Sequence, residues 1–301
     1  MQYPSRPRGG PPAQVTQTTV YGAIVAARSA LQALGVPEHA LEAAILLAGT
    51  IRCSRAWIAA HGDDPLSSVD HTRYLAAVER RCRREPTAYI LGEKQWLDII
   101  LEVNRNVLIP RPETELLAEE ARSLIASLSH EGAAGPVAVD VGTGSGALAI
   151  ALARRLPRAR VTGVDVSEGA LRLARSNAHR LGAANARFVL GSLLEPLLEV
   201  PDLVVANLPY VPSAEIDSLE PELAYEPSGA LDGGPDGLDL IRALVVQAKQ
   251  LLAAPSWLLL ECGSGQAQAV ARMLRASWPD ANVRIARDLA GIDRVIVAEL
   301  I

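Results

Sequence analysis

The chain lacks most features that mark a membrane protein, a disulfide-stapled secreted protein or a nucleic-acid backbone binder. No stretch of its 301 residues approaches the roughly 18 uninterrupted apolar residues that a membrane-spanning helix requires. This absence predicts a soluble chain. Three cysteines, Cys53, Cys82 and Cys262, are odd in number and scattered without metal-ligand spacing. They read as reduced thiols in a cytosolic protein. His39, His61, His71, His130 and His179 show no ligand pattern either, so no metal is expected. Excess positive charge is also missing. The net charge is −5 and the pI about 5.6, which argues against a sequence-independent grip on phosphates, and no direct nucleic-acid binding is expected. There is no signal-peptide h-region. No Asp or Glu precedes Glu38, while Arg6, Arg8 and Arg28 are present. Acid-poor, Arg-bearing leaders occur as organelle transit peptides. The preferred reading is a disordered Pro/Gly-rich tail over residues 1–18 and a cytoplasmic protein, with organellar import left open.

What is present is ample core material. Hydrophobic residues make up 49% of the chain and charged ones 21%, with a mean hydropathy of +0.16, enough for one large or two smaller domains. Residues 19–86 read as helical throughout. "TVYGAIVAARSALQALG" has a threonine start and a stop at Gly35, and "PEHALEAAILLAG" opens at Pro37 and closes at Gly49. With "SRAWIAAHG" and "SSVDHTRYLAAVERRCRR" these predict a small bundle of about four helices. Residues 87–112 alternate apolar and polar positions, with turn signals at Gly92 and Asn104-Arg105-Asn106. They predict a β-hairpin linker. From residue 113 a helix resumes, and strand and helix patterns then alternate to the end. Alternating βα units predict a mostly parallel, doubly wound sheet. The last two strands, joined by a short Gly-containing turn, must be antiparallel.

Three stretches carry chemistry. "VDVGTGSGALAI" places Gly142, Thr143, Gly144, Ser145 and Gly146 between the first parallel strand and its helix. Glycines there allow a tight turn and a ligand against the backbone, at the carboxyl ends of the strands. The next strand ends in Asp165, where a carboxylate accepts both hydroxyls of a ribose. The pair predicts a nucleoside-type cofactor and does not separate a dinucleotide from S-adenosylmethionine, although G-x-G-x-G spacing leans away from a pyrophosphate cradle. The fourth strand, beside the first, delivers Asn207-Leu208-Pro209-Tyr210 to the same crevice. The Asn207 side-chain oxygen and the Leu208 carbonyl suit both N–H groups of a planar NH2, whose delocalised lone pair makes it a poor nucleophile. Pro209 stiffens the loop, and Tyr210 offers a flat face to a planar acceptor. The arrangement fits methyl transfer to such a nitrogen.

At these residues the chain resembles the HemK/PrmC-like protein-(glutamine-N5) methyltransferases. The likeness rests on "REPTAYILGEKQW", "VLIPRPETE", "VDVGTGSGALAIALA", "VDVSEGALRLARSNA", "NLPYVP", "YEPSGALDGGPDGLDLIR", "LLLECGSGQ" and "GIDRVIVAE". It implies a class I (Rossmann-like) methyltransferase domain over 113–301, with a seven-stranded, mostly parallel sheet and an antiparallel terminal strand. Ahead of it the family has a helical substrate-recognition domain and a hairpin linker. The resemblance implies S-adenosylmethionine as cofactor, held at Gly142 to Gly146 and Asp165 with Leu193 and Asn207. It implies the Gly-Gly-Gln glutamine of peptide chain release factors as substrate, received at Asn207 to Tyr210. Leu208 stands where the family usually has the first proline of Asn-Pro-Pro-Tyr. Ser192 and Leu193 stand where an acid and a bulky residue often lie near the adenine.

Two alternatives stay open. Asn-Leu-Pro-Tyr also resembles adenine-N6 dimethyltransferases of ribosomal RNA, and a non-catalytic binder could keep the fold. The loop "AYEPSGALDGGPDGL" is a turn cluster or part of the acceptor pocket. Arg80, Arg81, Arg83 and Arg84 form a solvated helix face or a docking patch. Arg111 and Glu113 serve an interdomain salt bridge or a substrate contact.

Overall fold

A computed structural model describes residues 18–127 and 135–301. The expected tail, apart from Thr18, lies outside the described residues, as does His130. The chain divides into two compact units between Leu91 and Gly92.

The first unit is a helical bundle whose starts follow local capping chemistry. Helix α1 (Val20–Ala33) begins after Thr19, whose hydroxyl accepts the Gly22 N–H, and it ends before Gly35 at φ +65°, as predicted. Helix α2 (His39–Ile51) differs from the expectation at both ends. Its start is set by Glu38 in the left-handed region rather than by Pro37. It runs straight through Gly49, where a Cβ would lie 2.6 Å from the Leu91 side chain, so this glycine is a packing position and not a stop. Helices α3 (Arg55–Ala60) and α4 (Ser68–Cys82) are capped by Ser54 and Ser67, and α5 (Thr87–Leu91) completes the unit. Leu31, Leu46, Leu47 and Tyr74 fill its core, with the Tyr74 hydroxyl donating to the Ala43 carbonyl. The α4 arginines are engaged within the bundle: Arg80 with Glu85, Arg81 with Glu42, Arg83 with Glu79, and Arg84 with the Gly35 carbonyl. Arg81 is buried and so is not part of a solvated face, whereas Arg80 is half-buried and Arg83 exposed beside their partners.

The second unit opens with a hairpin, β1 (Glu93–Trp96) and β2 (Ile99–Glu102). Its turn is Leu97-Asp98, with Leu97 at φ +48°, not the Gly92 or Asn104 signals, which flank the hairpin. Buried Trp96 donates its indole N–H to the Arg111 carbonyl. Buried Asn177 bonds both the amide and the carbonyl of Glu102, tying the hairpin to the sheet domain. Helix α6 (Thr114–Ser127) follows.

The sheet contains β3 (Val137–Val141), β4 (Arg160–Asp165), β5 (Ala186–Leu190), β6 (Leu203–Ala206), β7 (Ser256–Glu261), β8 (Asn282–Arg287) and β9 (Asp293–Leu300), in the order β5-β4-β3-β6-β7-β9-β8. All pairings through β7 are parallel, and only β9 runs the other way, slotted between β7 and β8. The predicted antiparallel strand is therefore the last in sequence but not the sheet edge. Helices α7 (Ala147–Arg155), α8 (Glu168–Arg180), α9 (Asp239–Leu251) and α10 (Ala267–Ser277) cover the sheet. Val139, Val141, Val204, Ala206, Leu258 and Leu260 form one core with α9 and α10. Because alternate residues of a strand face opposite ways, Ala138, Asp140, Leu203, Val205 and Leu259 are buried on the other face. Both faces are covered, so the strands read as continuous apolar runs.

Candidate active site

The strand order reverses between β3 and its neighbours β4 and β6, and ligands in doubly wound sheets bind at such a switch point. Beyond β3 the backbone turns through Gly142 at φ +74° and Gly144 at φ +55°, a region that L side chains rarely adopt. The N–H groups of Gly142 and Thr143 both donate to the Val164 carbonyl. Gly144 donates to Asp165 Oδ2 at 2.9 Å, and Ser167 donates to Asp165 Oδ1 at 2.8 Å. Each carboxylate oxygen keeps a second lone pair for a ligand hydroxyl. Gly146 plays a different part. It precedes α7 at φ +84°, and a Cβ there would meet Ile150 at 2.9 Å and Ala174 at 3.1 Å. It lets α7 and α8 approach each other and does not line the crevice.

The residue that precedes this loop is an anomaly for a buried strand. Asp140 is 1% exposed. Its Oδ2 accepts from the Thr143 hydroxyl and the Ala149 N–H, while Oδ1 is buried without a partner. Burial pushes its carboxyl up to about 6, against the lowering by those two hydrogen bonds, and the Asp165 charge adds to the rise.

At the tip of β6, Asn207 donates from Nδ2 to the Thr114 hydroxyl oxygen at 2.9 Å. Its own oxygen and the Leu208 carbonyl have no donor among the described residues. The Leu208 side chain is buried in the core with α9 and α10 and packs toward Gly142. Leucine in place of the usual proline thus changes what lies beneath the tip, not the carbonyl it presents. The following loop lays its glycine backbone on Pro209 and Tyr210. A Cβ on Gly233 would lie 2.7 Å from the Pro209 carbonyl oxygen, and one on Gly237 would lie 2.1 Å from that of Tyr210. Glu226 in this loop accepts from the Ile109 N–H at 2.9 Å and from Arg111 at 2.6 Å. The Arg111 ion pair therefore joins the segment after the hairpin to the loop that follows β6, both within the second unit.

These pieces enclose a cavity of about 290 Å3. Of the expected residues, Gly142, Thr143, Gly144, Ser145, Asp165, Leu193, Asn207, Leu208 and Pro209 line it, and Gly146 and Tyr210 do not. Leu193 is buried at φ +51°, a strained conformation of the kind that gathers at functional sites. Asp140, Thr114, Arg111, Pro227 and Gly229 also line the cavity. Asp140 carried a readable signal, a carboxylate in an apolar strand. Thr114 carried none. The cavity wall fits S-adenosylmethionine: the orphaned Asp140 oxygen suits a cationic amino group, and the bare backbone at Gly142 and Gly144 admits a flat nucleoside beside Asp165.

Among the described residues no group of three His, Cys, Asp or Glu side chains is placed to hold a metal ion, and no helix is long and apolar enough to cross a membrane. Comparison with known proteins adds identity to this geometry. Residues 23–92 match the family described as the PrmC N-terminal domain, and residues 134–254 match one described as a methyltransferase domain. The chain is 41% identical over 272 residues to the release factor glutamine methyltransferase of Geobacter sulfurreducens, covering 89% of this chain and 92% of that one. It is 43% identical over 238 residues to its counterpart from Gloeobacter violaceus, covering 77% and 82%. With the Vibrio cholerae protein of the same name it shares 36% over 283 residues, covering 93% and 96%. Among solved structures, the hMettl16 catalytic domain in complex with the MAT2A 3'UTR hairpin 6 superposes with a TM-score of 0.53 at 13% identity, covering 78% of this chain and 83% of that one. That likeness concerns the fold alone. The fold is that of a class I S-adenosylmethionine-dependent methyltransferase, and the chain belongs to the release factor glutamine methyltransferase family.

Proposed function

We propose that this chain transfers a methyl group from S-adenosyl-L-methionine to the side-chain amide nitrogen (N5) of the glutamine in the Gly-Gly-Gln motif of peptide chain release factors. One observation carries the reading. Two acceptors without donors, Asn207 Oδ1 and the Leu208 carbonyl, stand together at the tip of β6 in the wall of the cofactor crevice. An amide nitrogen has exactly two hydrogens to offer them, and its lone pair is otherwise spent in conjugation.

In this reading Asp165, Gly142, Thr143, Gly144, Ser145 and Leu193 hold the cofactor, with Asp140 facing its amino group. When bound, the cofactor supplies an electrophilic methyl carbon on a sulfonium. Asn207 and Leu208 grip both N–H groups of the glutamine amide. Their grip fixes the direction of the nitrogen and favours the pyramidal form it needs as it is alkylated. Pro209 adds no donor that would compete for the carbonyls, and Tyr210 anchors the loop behind the grip through its carbonyl, which accepts from Gln266. The nitrogen, once alkylated, is acidic and gives its proton to solvent, so no resident base and no metal is needed. In this reading the helical unit through Leu91 recognises the release factor, and the hairpin that follows from Gly92 leads into the methyltransferase domain.

Methyl transfer from labelled cofactor to a release factor, lost when the Gly-Gly-Gln glutamine is changed, is the expected result. Label appearing in adenine of RNA, with affinity falling steeply as salt rises, would refute it in favour of nucleic-acid methylation.

A further inference from the structure

The stretch Ile109-Pro110-Arg111-Pro112 leads from the hairpin towards α6, and its two prolines have no N–H. Prolines at alternate positions keep it out of a sheet ladder, so side chains must fix its place. From one side the Trp96 indole donates to the Arg111 carbonyl at 2.9 Å. That carbonyl also accepts the Thr114 N–H at 3.2 Å, which sets the first turn of α6. From the other side comes Glu226. Its side chain is 1% exposed, and each oxygen has its own donor, the Ile109 N–H on Oε2 at 2.9 Å and Arg111 Nη2 on Oε1 at 2.6 Å. A carboxylate is costly to bury, and here its compensation is the segment it holds. The loop that carries Glu226 is fastened at its far end as well. The Val211 N–H donates to the Leu231 carbonyl at 3.0 Å, and the Gly233 N–H donates to the Val211 carbonyl at 2.9 Å. Residues 226–233 therefore run as a strap from the 109–112 segment to the strand tip that carries Asn207. Between the two fastenings Pro227, Gly229 and Ala230 line the cavity that Pro110, Arg111 and Asn207 also line. A Cβ on Gly229 would meet nothing within 4 Å, so the strap leaves room there.

We propose that Glu226 is a positioning residue for methyl transfer: by holding Ile109 and Arg111 to the strap, its carboxylate fixes the opening through which the acceptor amide reaches Asn207. The inference rests on the amide-grip reading of Asn207. Thr114 is bonded to the Arg111 carbonyl and accepts from Asn207 Nδ2 at 2.9 Å. A shift of the 109–112 segment thus moves one wall of the opening and a support of the grip together. The cofactor side is braced separately, since Asp165 takes its donors from Gly144 and Ser167. Loss of the Glu226 bonds should therefore misplace the acceptor and spare the cofactor. A glutamine at 226 keeps an oxygen for the Ile109 N–H and gives up the charge that pairs with Arg111, whereas an alanine gives up both.

Steady-state kinetics on a release factor at saturating cofactor, with cofactor affinity by calorimetry and melting curves, test this in the full-length protein. A buried hydrogen bond to a charged group is worth about tenfold to a hundredfold in a rate or equilibrium constant. Glu226→Gln is expected to lower kcat by about tenfold and Glu226→Ala by about a hundredfold. The KM for the release factor and the cofactor Kd should both stay within about threefold of the parent. If Glu226→Ala does not fold, the isosteric Glu226→Gln decides alone. Arg111→Met combined with Glu226→Gln is expected to lose about as much as the worse single variant, since both break one ion pair. Losses that simply add would make Arg111 a substrate contact in its own right and overturn the proposal. So would a lowered Tm with kcat unchanged, a loss confined to KM, or a cofactor Kd that weakens in step with kcat. Each of those results leaves the grip intact, whereas full turnover in Asn207→Ala would overturn the grip and this inference together.

Discussion

Asp165 has two tasks in the structure, and removing it separates them. Its oxygens accept from Gly144 and Ser167, and in the proposed complex their free lone pairs accept the two ribose hydroxyls. Hydrogen bonds to a charged acceptor contribute about 1.5–3 kcal/mol each. Asp165 is only partly buried, so the lower value applies, and two hydroxyls amount to about 3 kcal/mol, or roughly 100-fold in Kd. The loop amides can turn to water when the carboxylate goes, and their loss costs about 1–3 kcal/mol, a fall in Tm of roughly 2–10 °C for a unit of this size. Asp165→Ala should show both effects. Asp165→Asn should bind nearly as weakly, since its NH2 faces one of the two backbone donors. Calorimetric titration with S-adenosylmethionine and S-adenosylhomocysteine, alongside melting curves without ligand, measures each separately. A lowered Tm with Kd within about threefold of the parent would refute the ribose assignment and leave Asp165 as a brace for the glycine loop.

The other predictions concern the acceptor side, the glycine hinge and pH. Asn207→Ala should lower kcat by about 100- to 1000-fold, in the range for losing one preorganised polar contact to the reacting group, with cofactor affinity unchanged in calorimetry; retained turnover would rule out the grip. Gly146→Ala forces a Cβ into Ile150 and Ala174 at a positive φ, and should cost about 2–4 kcal/mol in denaturant unfolding; a loss under about 0.5 kcal/mol would contradict the packing role given to this glycine. The Glu261 carboxyl is pushed up to about 7, by burial first, with Thr114, Arg294 and Tyr210 opposing the rise and Glu113 adding to it. The folded state therefore keeps this proton between its ordinary value, near 4.5, and 7, while the unfolded chain releases it. Stability from this group is present below that window and declines as pH rises through it, by about 3 kcal/mol in total, and Asp140, pushed up to about 6, acts in the same sense. Unfolding of Glu261→Gln across pH 5 to 8 should show a shallower decline and a more stable protein at about pH 8 than the parent; equal slopes would exclude the raised carboxyl.

The parts legible in advance are those governed by neighbours in the chain. Thr19, Ser54 and Ser67 cap helices because a hydroxyl reaches an N–H three residues on, and that requires no tertiary contact. The βα alternation dictated a parallel sheet, and the glycine loop and Asp165 were placed at its carboxyl edge. Misreadings arose where distant packing overrode a local signal. Gly49 looks like a helix stop, yet it is a seat for Leu91, and Pro37 looks like a helix start, yet Glu38 sets the turn. The hairpin turns at Leu97-Asp98, which carries neither Gly nor Asn, because Trp96 must be buried.

The sequence by itself determined the strand and helix alternation, the glycine turn, the carboxylate one strand over and the polar tip of the fourth parallel strand, since each follows from periodicity or from chemistry within a few residues. Only the tertiary structure decided which groups support them. Thr114 meets Asn207 across 93 positions of chain, and Glu226 reaches Ile109 across 117. Contacts of that span depend on how strands are ordered and helices laid over them, and no local pattern of residues records that order.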